Sequence, residues 1–240
     1  MRLAQYLAQC GIASRRQCQR LITAGQVTLN GHQALPNARV IPGQLALGDI
    51  LLNGEPVTGP QSRTCWLYHK PVGVDCRLLP QHPDSLYHQL PDSPRLYPIG
   101  RLDKDSRGLL LLTNDGELTQ RLMHPDFAHE KYYEVTVDRP YEDEFIAQMQ
   151  AGVRYQQTLT RPCHCERLDD IRFGITLTQG LNRQIRRMCA ALGYKVVDLK
   201  RTAILSQTLI DDSGHELDAT KMRPLTEDEQ AALYRAAGLA

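Results

Sequence analysis

The sequence predicts an α+β protein: a small N-terminal α/β module followed by a larger body built on a mostly antiparallel sheet. Three observations carry this expectation. Helical and alternating apolar patterns interleave without a regular strand–helix–strand repeat, which disfavours a parallel sheet. The first sixty residues hold five arginines, no lysine and two acids, Asp49 and Glu55, and run into the stretch PVTGPQSR, so they read as a separate unit. The chain of 240 residues, 42% hydrophobic and 23% charged, is long enough for a sizeable core.

In the module, Leu3, Tyr6, Leu7 and Cys10 follow helical spacing, and Gly11 ends the helix. Ser14 is placed to cap a second helix that turns Arg15, Arg16 and Arg20 outward and Cys18, Leu21 and Ile22 inward, up to Gly25. Val27 and Leu29 alternate as a short strand into an Asn30-Gly31 turn, and further short strands are expected at Val40–Ile41 and Asp49–Leu52. The expected boundaries are residues 1–58 for the module, 59–63 for a linker and 64–240 for the body.

In the body, Trp66–His69 reads as a strand broken by Pro71 and Gly73. Leu109–Leu112 form a wholly apolar strand, with Asn114-Asp115-Gly116 as the turn after it. Tyr133, Val135 and Val137 alternate, as do Phe173, Ile175 and Leu177. Helices are expected at Tyr141–Gln150, Arg183–Leu192 and Glu227–Ala236. In the second, Ile185, Met188, Cys189 and Leu192 make the buried stripe and Gly193 the stop.

The formal net charge is only +1, but its distribution is uneven. Residues 154–201 hold ten Lys and Arg against four acids, whereas the tail from Leu205 holds seven acids and three bases. Such a pattern suits a localised polyanion-binding face. No apolar run approaches the ~20 residues of a membrane span. The N-terminus also lacks the apolar core of a signal peptide, so a cytoplasmic protein without a membrane partner is expected. The seven cysteines show no disulfide framework, which leaves reduced thiols.

Three polar clusters interrupt the apolar pattern. Ser14-Arg15-Arg16 with Arg20 is either a solvated helix face or a phosphate grip at a helix N-terminus. Gly100-Arg101-Leu102-Asp103-Lys104-Asp105-Ser106-Arg107-Gly108 is a glycine-bounded polar loop against a buried strand, with Asp103 either a turn cap or a presented carboxyl group. A calcium loop fails there, because Arg107 stands where an oxygen ligand is needed and Asn114 where a bidentate glutamate is needed. Gly180-Leu181-Asn182-Arg183-Gln184-Ile185-Arg186-Arg187 flanks a buried stripe with arginines, one of which can reach a cleft or all of which face solvent. Cys163-His164-Cys165 lacks the second ligand pair a zinc site needs, so no metal is expected.

Together these segments resemble the pseudouridine synthases of the RsuA/RluB/RluE/RluF family. The resemblance runs through RLAQYLAQCGIASRR and GQVTLNG in residues 2–50, which are similar to an S4-type RNA-binding domain. It continues through HKPVG, GRLDKDSRGLLLLTNDGEL, EKYYEV and GLNRQIRRMCAALGY. GLNRQIRRMC after Gln179, with RLDKDS upstream, is most similar to the RluF subgroup; many relatives carry an acid in place of Gln179 and Thr in place of Ser106. The resemblance implies the mixed body of these synthases on an antiparallel sheet and the isomerisation of uridine to pseudouridine in structured RNA without a cofactor. It makes Asp103 the essential catalytic residue, Arg186 its arginine partner and Tyr133 the aromatic that packs on the base, with Tyr132 the lesser candidate. Ile185 becomes the pocket floor and Arg101 the residue that fills the gap left by the flipped nucleotide. Arg107, Asn182 and Arg183 are expected to bind substrate; Arg2, Ser14, Arg15, Arg16, Arg20 and Asn30 are expected to bind RNA. The implied partner is ribosomal RNA, 23S in the first place, with transfer RNA as an alternative or additional substrate for a monomeric enzyme. The rival from another class is a non-catalytic RNA-binding ribosome-assembly factor.

Overall fold

The structure, a computed structural model, describes residues 1–211 and 213–239. The chain divides into two compact units, residues 1–64 with 91–97, and residues 65–90 with 98–240. The segment 91–97, expected in the larger body, thus belongs with the first unit.

The first unit packs α1 (Leu3–Gln9) and α2 (Arg15–Thr23) with an antiparallel sheet of β1 (Val27–Leu29), β2 (His32–Gln33), β3 (Ile50–Leu52) and β4 (Glu55–Pro56), in the order β2-β1-β3-β4. Leu3, Leu7, Cys18, Ile22, Val27 and Ile50 form its core. Ser14 caps α2 in a capping box: the Gln17 N–H donates to Ser14 Oγ (3.2 Å) and the Ser14 N–H to Gln17 Oε1 (3.1 Å). Asn30 and Gly31 take φ of +51° and +78°, as a tight hairpin between β1 and β2 requires. No strand forms at Val40–Ile41. Arg39 makes only an isolated bridge with Arg2, and the chain then turns through a short 3₁₀ segment at Pro42–Gln44. The expected linker is tied to the module, since the Gln61 N–H donates to the Gln9 carbonyl (2.9 Å).

The second unit runs β5 (Cys65–Lys70), β6 (Tyr97–Pro98, of which Tyr97 is counted with the first unit), β7 (Arg107–Thr113), α3 (Gly116–Met123), β8 (Lys131–Val137), α4 (Asp143–Ala151), β9 (Arg154–Tyr155), β10 (Thr158–Leu159) and β11 (His164–Arg167). It continues through β12 (Arg172–Leu177), α5 (Gln184–Ala191), β13 (Val196–Ile204), β14 (Gln207–Thr208), β15 (Met222–Pro224) and α6 (Glu227–Ala236). The main sheet follows β11-β12-β8-β13-β7-β5-β15. Its neighbours are antiparallel except for β13 beside β7. Every residue of β7 from Gly108 to Thr113 is buried, which explains its unbroken leucine run. One core forms around Val135, Phe145, Phe173, Ile185, Met188 and Leu199, and another around Leu67, Leu109, Leu111, Leu118, Leu122 and Leu233. No helix among the described residues is long and apolar enough to cross a membrane.

Two elements depart from the sequence reading. Asn114-Asp115-Gly116 is more than a turn: Asp115 accepts from the Glu117 N–H (2.9 Å) and starts α3, which buries Leu118 and Leu122. The central nine-residue β13 had no alternating apolar signature, because Asp198 and Lys200 on it are matched by Arg107 and Glu216. At the parallel seam Gly108 pairs with Arg201 at φ +109°, and a Cβ there would lie 2.2 Å from the Arg201 carbonyl oxygen. Gly108→Ala is expected to cost about 3 kcal/mol or more; an unchanged urea midpoint would contradict the seam as described.

Candidate active site

The loop between β6 and β7 would present free carbonyls at the edge of a buried sheet unless donors met them. Lys70, at the end of β5 and fully buried, supplies these donors: its Nζ donates to the carbonyls of Ser106 (2.6 Å) and Pro71 (2.9 Å), with Lys104 O at 3.4 Å. From the other side, α5 brings Arg186, whose Nη2 donates to the Asp105 carbonyl (2.7 Å) and Ser106 Oγ (3.2 Å) and whose Nη1 donates to Val196 O (3.2 Å). Arg183 begins that helix at φ +50°, a left-handed conformation uncommon for a non-glycine residue. From there its guanidinium grips the Asp105 carboxylate in two hydrogen bonds of 2.9 and 2.7 Å.

Asp105 is therefore committed to the scaffold, and the Arg183 hydrogen bonds, helped by Arg186, hold its carboxyl below the usual range. The Asp103 carboxyl is left in the cleft, with its Oδ2 3.7 Å from Arg183 and its side chain 30% exposed. The cleft, of about 490 Å³, is lined by this loop, by Lys131 and Tyr133 of β8, by residues 179–185, and by Leu199 and Arg201 of β13. Burial, with the Arg201 guanidinium alongside, pulls the Lys131 ammonium down to about 8. At the rim, hydrogen bonds from Arg77 bring Asp75 down to about 2.

The structure thus gathers Asp103, Tyr133, Arg101, Asn182, Arg183 and Ile185 around one cleft. Two expectations change, those for Arg186 and Arg107. Arg186 contacts Asp105 and Ser106 rather than Asp103, since the backbone of the loop, not its first carboxyl, faces α5. Arg107 is drawn away by a bidentate pair with Asp198 on β13 (2.9 and 2.7 Å) and does not line the cleft. Tyr132 points to Glu166, donating to its Oε1 (2.9 Å); burial and that carboxylate push its phenol up to about 12. In the first unit, Arg15, Arg16 and Arg20 stand exposed on α2, their side chains making no hydrogen bond or ion pair among the described residues, Asn30 is exposed at its turn, and Arg2 holds the N-cap position of α1 without a side-chain bond. The Ser14 hydroxyl is taken up by its helix cap.

The sequence reading missed Lys131 and Arg201. Period-two spacing from Tyr133 along a strand points to Lys131. Only the pairing of β13 with β8 places Arg201. Cys163, His164 and Cys165 lie on or beside β11 with Cys165 buried and His164 exposed, and among the described residues no three potential metal ligands gather.

A carboxyl group, an aromatic ring and several arginines around one cleft are chemically suited to a flat ring carried on a polyanion. The chain matches the family model of RNA pseudouridylate synthases over residues 64–191 and that of the S4 domain over residues 1–45. It is 40% identical over 237 residues to the dual-specificity RNA pseudouridine synthase RluF of Escherichia coli strain K12, covering 98% of this chain and 79% of that protein. It is 34% identical over 239 residues to the ribosomal small subunit pseudouridine synthase A of Salmonella typhimurium, covering 97% and 100%. A crystal structure of a pseudouridylate synthase superposes with a TM-score of 0.67 at 31% identity, covering 97% of this chain and 99% of the other. The chain belongs to the RNA pseudouridylate synthase family, enzymes of the isomerase class.

Lys70→Met removes the donor that meets the loop carbonyls and is expected to cost about 3 kcal/mol in denaturant unfolding; a loss below about 1 kcal/mol would show that the loop holds without it. For Lys131 the folded value of about 8 lies below the ordinary value of 10.5, so the unfolded chain holds the extra proton between them. The cost of burying the charge is complete below pH 8 and disappears as pH rises toward 10.5. Lys131→Met is expected to be about 2 kcal/mol more stable than wild type at pH 7, allowing for partial exposure. That gap should narrow in melts taken up to pH 10, and a gap independent of pH would contradict the assignment.

Proposed function

We propose that this enzyme isomerises one or a few uridines of ribosomal RNA, in the large subunit, with Asp103 as its essential catalytic residue, acting as a monomer in the cytoplasm. The observation that carries the reading is the division between the two loop acids: Asp105 is held by Arg183, while Asp103 remains accessible in the cleft that also holds Tyr133. The reaction breaks the bond between C1′ of the ribose and N1 of uracil, turns the base and joins C1′ to C5. A carboxyl group beside the sugar stabilises or traps the electron-poor C1′ while the base is detached. The target must leave its stack to reach Asp103, at a cost of a few kcal/mol. Tyr133 supplies an aromatic face for the flipped base, Ile185 an apolar floor, and Arg101, without a protein partner, a side chain able to enter the vacated stack.

Arg186 acts here as a positioning residue, holding the loop from behind. Arg15, Arg16 and Arg20 grip RNA phosphates, contacts that set affinity and salt dependence rather than sequence choice. The name of the relative RluF records dual specificity, which supports a transfer-RNA loop as an additional substrate. Pseudouridine mapping of ribosomal and transfer RNA in cells lacking the gene should reveal a lost site that wild type restores and Asp103→Asn does not. Restoration by Asp103→Asn would overturn the assignment of Asp103, and retention of every site without a paralogue would favour a non-catalytic RNA-binding role.

A further inference from the structure

Arg201 is the most deeply buried cation lining the cleft, 3% exposed. Its Nε–H donates to the Leu109 carbonyl (2.8 Å), but its Nη2 is buried without a hydrogen-bond partner. Directly opposite on β8 is Tyr133, whose ring centroid lies 6.0 Å from the guanidinium carbon, so both side chains leave the same face of the sheet. Lys131, two residues from Tyr133, shares that face, and its Nζ is bonded only to the His129 carbonyl (2.9 Å). Among the described residues neither cation has a carboxylate within ion-pair distance. The register of β13 against β8 shifts immediately after Arg201, a bulge of the kind that re-aims side chains beside active sites. A buried guanidinium with an unused donor, beside a partly exposed ammonium, is costly in a resting enzyme and is matched by negative charge that arrives with the substrate.

We propose that Arg201 is a further catalytic residue: its Nη2–H donates to a carbonyl oxygen of the detached uracil, with Lys131 as the neighbouring cation that favours the same charge. This rests on the proposed reading of the cleft as the uridine site. When C1′–N1 breaks, the bonding pair stays with the base and C1′ is left electron-poor. The base is then an anion whose charge is shared among N1, O2 and O4. C5 next bonds C1′ with the C5=C6 electron pair, the C5 proton departs and N1 gains a proton, so the product is an isomer of the substrate. Donors pre-set at O2 or O4 stabilise the anion more than the neutral base, which lowers the barrier rather than strengthening binding.

The test uses the full-length enzyme and the ribosomal-RNA fragment around the mapped uridine, under single turnover. Arg201→Met should lower the isomerisation rate of the folded protein by about 100-fold, as for loss of one oxyanion donor, with RNA affinity within about twofold. A folded Arg201→Met with wild-type rate would overturn the proposal. Weakened RNA affinity at an unchanged rate would also overturn it, in favour of a phosphate contact. Should Arg201→Met fail to fold, wild type on fragments with 2-thiouridine or 4-thiouridine at the target decides. Sulfur accepts hydrogen bonds weakly, so at least one fragment should slow markedly, and full rates on both would overturn the assignment. Wild-type turnover that is abolished by Asp103→Asn tests the underlying reading separately, whatever the Arg201 result.

Discussion

The site depends on the neutralisation of one loop. Residues 103–106 run past the edge of the buried sheet, and Lys70 from β5 and Arg186 from α5 meet the carbonyls of Ser106 and Asp105 from two sides. Lys70 itself bears the desolvation of full burial, which lowers its affinity for a proton, and it is tolerated because its ammonium hydrogens go to carbonyl oxygens. Together with the backbone bonds from the Gly73 N–H to the Lys104 carbonyl (2.8 Å) and from the Ser106 N–H to the Asp103 carbonyl (3.0 Å), this grip fixes the loop and so the direction of its side chains.

Within that frame the two aspartates do different work because their neighbours differ. Asp105 meets the guanidinium fork of Arg183 and the flank of Arg186, so its charge is consumed by the scaffold. Asp103, two residues earlier, faces the open cleft with only a distant edge of Arg183 for company. The strained backbone at Arg183 is consistent with this division: φ +50° at the start of α5 lets one side chain reach both acids.

The strand pairing does the rest. β13 runs antiparallel to β8 and parallel to β7, so it brings Arg201 between Tyr133 and the loop strand although these residues are far apart in the chain. The close seam at Gly108 allows that approach, since any side chain there would meet the Arg201 backbone. The cations Arg201 and Lys131 line the cleft beside Tyr133 because of this packing and not because of any local motif.

Much of this was legible in the sequence. The N-terminal helices, their Ser14 cap, the Asn30-Gly31 hairpin and the helix at 227–236 depend on interactions within a few residues, and the strands at 131–137 and 172–177 show in local alternation although their pairing is long-range. Asp103 and Arg183 stood out because polar residues in a glycine-bounded loop, and arginines beside an apolar stripe, break the local pattern, whereas the roles expected of Asp103, Tyr133 and Ile185 came from the resemblance to the family. What the sequence could not decide was partnership. Arg186 and Arg183 are three residues apart on one helix turn, and only the approach of that helix to the loop determines which acid each one meets. Arg107 is withdrawn from the cleft by Asp198, and Arg201 enters it, because β13 settles between β7 and β8. Local propensity and periodicity act over a few residues, whereas ion pairs and cleft walls are made by segments up to about a hundred residues apart, so their choice belongs to the tertiary structure.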